Sequence, residues 1–220
     1  MIFAAEIPHG RALVLAQPMT RGYCPSCGDN LMPKCGTVNV WHWAHRGDSD
    51  CDQWAEGETE WHIDWKNNIA PYGEVERILG NHRADAIVRK TVIEFQHSAI
   101  SADKVLEREQ HYKEQGFRVL WVIDLRDAYN ADRFQQRWKG RYNTFKWLHA
   151  RKAFCLTPHA IIADFGGFGF DVQKIYPSEP ETWEQHGKPA TGWGYFVEDG
   201  CMITSILASC GVNLRSVERP

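Results

Sequence analysis

Two carboxylates and an amide pose the chemical question: Asp85 in RADAIV, and Glu94 and Gln96 in VIEFQHS. Both stretches are short and apolar and read as strands, residues 83–88 and 91–96, with Arg89-Lys90 as the turn between them. Side chains alternate along a strand with period two, so this turn sets Asp85 opposite Glu94 and Arg83 opposite Gln96 on one face. Two carboxylates directly opposed in an antiparallel pair repel each other. A hard divalent cation such as magnesium or manganese would relieve the repulsion; on an exposed face, water would screen it instead.

Upstream, Glu58, His62 and Lys66 recur at i, i+4 and i+8 and so share one face of a helix. That face is distinct from the apolar stripe of Trp61, Trp65 and Ile69. A carboxylate, an imidazole and an amine on one ridge can serve a sheet carboxylate pair, or form ordinary ion pairs in water. A second constellation is Y-C-P-S-C-G, residues 23–28, with two thiols on a tight turn closed by glycine. This is zinc-knuckle spacing. A structural zinc needs four ligands, and His42, His45 and Cys51, with Cys35 behind them, are the candidates for the second pair. Along an extended HWAH the two His face opposite sides, and we select Cys24, Cys27, His45 and Cys51.

The elements that must position these groups follow from the pattern. Residues 58–69 read as a helix, and 73–79, 83–88 and 91–96 as three strands. A second helix starts at the Ser101 cap and stops at Gly116, and FRVLWVI, residues 117–123, is a buried parallel strand. A hairpin followed by a helical crossover gives an α/β arrangement, a mixed sheet with helices packed on it. Three zones result: a Cys/His segment over 1–54, the αβββαβ core over 55–126, and a β-rich extension over 127–220. AIIADF, FDVQKIY and WGYFV read as strands of that extension, and GGFGF as a turn.

Bulk composition sets limits. The content is 43% hydrophobic and 24% charged, ordinary for a globular chain, and the net charge of −3 rules out coating nucleic acid through bulk charge. No apolar run approaches the roughly 20 residues of a membrane helix, so no membrane partner is expected. The N-terminus lacks the layout of a secretion signal, which points to the cytoplasm. There thiols stay reduced, so the seven Cys read as ligands or packing residues. Basic and aromatic residues mix in KGRYNTFKWLHARK, residues 139–152, where the aromatics read as docking groups. Some of Lys139, Arg141, Arg151 and Lys152 read as contacts to nucleic acid.

The ordered motifs E-T-E-W-H (58–62), R-A-D (83–85), I-E-F-Q-H-S (93–98), R-x-x-x-Y (108–112) and VLWVID (119–124) together resemble the competence protein CoiA-like family. That family belongs to the PD-(D/E)xK nuclease superfamily, and the resemblance extends upstream to C-P-S-C-G and H-W-A-H. It implies a restriction-endonuclease-like core and magnesium- or manganese-dependent hydrolysis of DNA, single-stranded or branched substrates included. By position, Asp85 and Glu94 resemble the metal-binding pair, with Glu58 the additional acid on the first helix. Gln96 stands where the superfamily has lysine, and His62 matches the family's histidine. Arg108 and Tyr112 match R-x-x-x-Y and would brace the site or touch a phosphate. Glutamine supplies no charge, so Arg83, Lys66 or His62 must replace it. His97 alternates to the opposite face and reads as a packing or surface residue.

Overall fold

A computed structural model describes residues 3–8, 13–25, 27–37, 41–46, 59–80, 82–155, 158–178 and 188–213. The chain divides into two compact units, residues 1–86 and 87–220.

The first unit begins with five short strands: β1 (Phe3–Ala5), β2 (Leu13–Leu15), β3 (Gly22–Tyr23), β4 (Asn30–Lys34) and β5 (His42–His45). They form one antiparallel sheet in the order β2-β1-β3-β4-β5. Its small core holds Ala4, Ala16, Cys24, Leu31 and Trp43, and the Trp43 indole N–H donates to the Val14 carbonyl. Gly22 is required there, because a Cβ would lie 2.6 Å from the Ala4 Cβ and 2.9 Å from the Trp43 ring. Helix α1 (Glu60–Ile69) follows and buries Trp61, Trp65 and Ile69, the apolar stripe expected from the spacing. It buries His62 and Lys66 as well, so the polar ridge is not a solvated face. Strands β6 (Glu74–Leu79) and β7 (His82–Val88) are sheet neighbours.

The second unit opens with a two-residue turn at Arg89-Lys90, where sequence placed it, with Arg89 at φ +55°. Strand β8 (Thr91–Gln96) is buried at every position. Ser101 caps α2 (Ala102–Glu114) through its hydroxyl, which accepts from the Lys104 N–H, a cap worth about 1 kcal/mol. Gly116, at φ +81°, ends the helical segment. β9 (Arg118–Asp124) returns parallel to β8, as expected for a helical crossover. Next come α3 (Arg126–Asn130), β10 (Phe134–Trp138), β11 (Asn143–Trp147), β12 (Ala160–Asp164), β13 (Gly169–Pro177), β14 (Ala190–Val197) and α4 (Met202–Ser209). The strands lie in the order β10-β11-β14-β13-β12-β9-β8. The β8, β9 and β12 neighbours run parallel and the rest antiparallel. This is the mixed sheet with few helices that the α/β reading implied.

The core of this unit is aromatic. Phe134 stacks on Phe145 with centroids 4.9 Å apart, and both contact Phe170. Phe145 and Trp147 are buried, as docking groups should be, but Tyr142 from the same stretch is 42% exposed. Tyr142 sits at the β10–β11 turn, beyond the last core-facing pair. Cys155 and Cys210 pack in the interior, which raises their thiols to about 12 and about 11; Cys201 is exposed rather than packed.

Candidate functional site

In the first unit the chemistry gathers on Lys66. Its ammonium is almost fully buried, 3.0 Å from Asp85 Oδ1 and 3.2 Å from Glu76 Oε1. Burying a charge costs several kcal/mol unless it is paired, and here one cation faces two carboxylates. Asp85 comes from β7 and Lys66 from α1, as expected. Glu76, from β6, was not singled out by sequence. Its backbone lies in the left-handed region at φ +53°, which is costly for a non-glycine residue and turns its side chain inward. Burial alone would raise the Glu76 carboxyl, but Lys66 and then Arg83 outweigh it and hold it at about 2. The Phe3 N–H also donates to its Oε2 at 3.4 Å. Arg83 thus adds positive charge to this cluster beside Lys66.

His62 is placed by the start of α1. Thr59 is the cap: its hydroxyl accepts from the His62 N–H, and the His62 Nδ1 lies 2.8 Å from that hydroxyl and accepts from the Thr59 N–H. This is a capping box with imidazole in the place of the usual glutamate, so Nδ1 serves the helix end. Glu58 lies outside the described residues.

In the second unit the chemistry gathers on Glu94. The carboxylate is buried, and each oxygen has a partner from α2. Arg108 Nη1 donates to Oε2 and the Tyr112 hydroxyl donates to Oε1, both at 2.9 Å. The four-residue spacing of R-x-x-x-Y stacks the two donors on one helical face, one turn apart. A carboxylate has about four lone-pair sites, more than these two donors occupy. Gln96, also buried, donates its side-chain amide to the Ser98 carbonyl at 3.0 Å.

Beyond β8 the side-chain alternation brings out groups that sequence underrated. His97 Nδ1 lies 2.7 Å from Asp124 Oδ2, and Arg126 clamps the same carboxylate through Nε and Nη2. Burial would raise Asp124, but the Arg126 and His97 hydrogen bonds hold it below the ordinary carboxylate range. The parallel register, Gln96 beside Ile123, sets His97 next to Asp124 one step further on. His97 is therefore paired rather than merely packed. Arg151, read from sequence as a contact to nucleic acid, instead donates to the carbonyls of Gln96, His97, Ser98 and Asp124. It holds the ends of β8 and β9 beside a cavity of about 390 Å³ that His97, Asp124, Arg133 and His149 also line.

The Cys/His segment brings three ligand side chains together. Cys24, Cys27 and His45 bring their ligand atoms within 4.8 Å of one another, an arrangement that can hold a metal such as zinc. The knuckle is closed by the Gly28 N–H donating to the Cys24 carbonyl, with Gly28 at φ +77°. His45 falls below its ordinary value, mainly through burial, against an opposing pull from Asp29. That favours the neutral imidazole a metal needs. His42 and Cys35 stay out of the group, and Cys51 lies outside the described residues. No described helix is long and apolar enough to cross a membrane.

Comparison with known proteins agrees with the motif order. The model of the CoiA nuclease-like domain matches residues 63–159, and that of the CoiA N-terminal domain matches residues 16–53. A relative named competence protein CoiA, from Bacillus subtilis (strain 168), is 27% identical over 58% of this chain. The match covers 36% of that relative, so this chain spans little more than a third of its length. No solved structure matches. With both family models matched in chain order over more than half of its residues, the chain belongs to the competence protein CoiA-like family.

Proposed function

We propose that the chain is a metal-dependent nuclease that hydrolyses DNA phosphodiester bonds, built on a restriction-endonuclease-like αβββαβ core from α1 to β9. The setting of Glu94 carries this reading. A glutamate inside a wholly buried strand is costly, and α2 supplies an arginine and a tyrosine to hold it in one orientation. The family's nuclease-like segment spans Lys66, Asp85, Glu94, Gln96, Arg108 and Tyr112.

In this reading Asp85 and Glu94 hold magnesium or manganese, with Glu58 adding a direct or water-mediated contact. When bound, the ion neutralises phosphate charge and activates a water. The chain's own residues do the rest. Arg108 and Tyr112 fix the Glu94 oxygens. Lys66, already on Asp85, supplies the positive charge that Gln96 lacks, and Gln96 shapes the turn after β8 through Ser98. His62 commits Nδ1 to its cap, so any proton it exchanges with substrate passes through Nε2. Cys24, Cys27 and His45, with Cys51 as the fourth ligand, would hold a zinc that steadies the first sheet. The partner is DNA and the compartment the cytoplasm.

The test is a manganese-supplemented cleavage assay on single-stranded, duplex and branched DNA. Wild type should cut at least one substrate, and Asp85→Asn and Glu94→Gln should each lose on the order of 10²-fold or more in rate. Unchanged cleavage in both variants would sink the proposal. A second reading, a zinc-stabilised DNA-binding or interaction protein without catalysis, is favoured by one observation: the Gln96 amide donates to the Ser98 carbonyl of its own chain turn. It expects DNA binding with no cleavage in magnesium or manganese.

A further inference from the structure

Strand β14 inverts the usual pattern of a sheet that covers a core. Its core-facing residues are small: Ala190, Gly192 and Gly194 are buried. Glycine is required at the last two. A Cβ at 192 would lie 2.5 Å from the Phe145 ring and 2.1 Å from the Lys174 carbonyl oxygen, and one at 194 would lie 2.5 Å from the Phe170 ring. The aromatic residues between them, Trp193 and Tyr195, therefore face outward. The register extends this outer face across neighbouring strands. Trp193 pairs with Thr144 and Lys174, Thr191 with Lys146 and Tyr176, and Thr144 with Arg137.

The outer face is thus aromatic and basic together. Tyr195 is 47% exposed and Tyr176 48%. Tyr142, from the adjoining turn, packs edge-on against Trp193 at 5.7 Å, and Trp193 against Tyr195 at 6.1 Å. The Lys174 ammonium lies 5.2 Å from the Tyr176 ring. Arg137 and Lys146 are exposed on β10 and β11; Asp171 pairs with Tyr195 on this face, and Glu198 and Arg141 line a hollow beside Tyr142 and Tyr195. Exposed rings cost solvation, and a purely protein-binding patch has no need of lysines interleaved among them. A single strand of nucleic acid answers both features, with bases on the rings and phosphates on the cations.

We propose that the outer face of β10-β11-β14-β13 is a stacking platform for single-stranded DNA, with Tyr142, Trp193 and Tyr195 as the base-stacking rings and Arg137, Lys146 and Lys174 as the phosphate contacts. The choice of DNA rests on the nuclease reading above; the platform does not.

The experiment measures fluorescence anisotropy of a labelled oligothymidylate of about 20 nucleotides titrated with the full chain. It uses the Glu94→Gln background without added magnesium or manganese, so nothing is cut. Trp193→Ala and Tyr195→Ala should each weaken binding about ten-fold, with little change for duplex of the same length. Lys146→Gln and Lys174→Gln, exposed and remote from the core, should each weaken it several-fold and flatten the salt dependence by about 0.7 in the log–log slope. Thermal melts check that each variant folds. Unchanged affinity in the lysine variants and in folded Tyr195→Ala would overturn the platform. Tighter binding of oligouridylate would overturn its assignment to DNA. Binding that depends on this face in a wild type that cuts no DNA would keep the platform and remove the nuclease reading; cleavage with face-independent binding would do the reverse.

Discussion

Glu94 and Glu76 are both buried glutamates in strands, and they are held in opposite ways. Glu94 has an ordinary strand position and two dedicated donors from one helix. Glu76 has a strained backbone and shares the Lys66 ammonium with Asp85. In the second unit each carboxylate oxygen is matched by a donor. In the first, one lysine touches two acids, and the charge of Arg83 adds to its effect on Glu76. A carboxylate gripped at both oxygens is a fixed object, whereas two acids around one lysine gather charge at one point. The difference suggests that orientation is set around Glu94 and charge around Asp85.

The largest expected effect breaks the fixed side. Arg108→Met removes this cation from the buried Glu94 carboxylate and keeps the tyrosine hydroxyl on its other oxygen. Removing one member of a buried ion pair costs about 3–5 kcal/mol. Urea unfolding should show that loss in midpoint at an unchanged slope. If Glu94 were held chiefly by its strand rather than by α2, the loss would stay below about 1 kcal/mol.

The next effect is a pH dependence of the shared side. Glu76 is held at about 2 in the folded protein against an ordinary 4.5. A carboxyl with a depressed folded value stabilises the fold above its unfolded pKa, and that stability is lost as pH falls toward the folded value. The window is thus from about 4.5 down to about 2, and the loss about 3 kcal/mol. Acid titration of stability should show this component, and Glu76→Gln should remove it. An identical acid profile in the variant would mean that Lys66 and Glu76 are not coupled as the geometry places them.

The comparison also separates what sequence reveals from what it hides. Arg108 and Tyr112 were legible as a brace because their four-residue spacing is a property of any helix, and the helix had a cap and a stop to mark it. Asp85 and Glu94 were legible as strand residues around a turn that appears where it was expected. Glu76 was not, because alternation along EVERIL assumes regular strand geometry, and a positive φ at one residue breaks it. The first sheet was equally hidden, since strands of two to five residues are too short for a period to emerge. His62 illustrates a third reason: a histidine three residues after a threonine is a capping partner only if the helix starts there, and the motif drew attention to its chemistry instead. The outward aromatics of β14 were readable in principle from ATGWGYFV, where small and aromatic residues alternate. Without the facing strands, nothing in that string says which set is buried.

The smallest effect sharpens the fixed side further. Tyr112→Phe keeps the buried ring and removes only the hydroxyl that donates to Glu94 Oε1. A hydrogen bond to a charged group contributes about 1.5–3 kcal/mol, less than the ion pair on the other oxygen. The variant should therefore lose roughly half of what Arg108→Met loses in urea. Its two changes need not add: Arg108 and Tyr112 grip one carboxylate, so the double variant should cost less or more than the sum by 0.5 kcal/mol or more, in the range of coupled neighbours. Additivity within about 0.3 kcal/mol would mean that each donor acts on its own, and that α2 does not hold Glu94 as a unit.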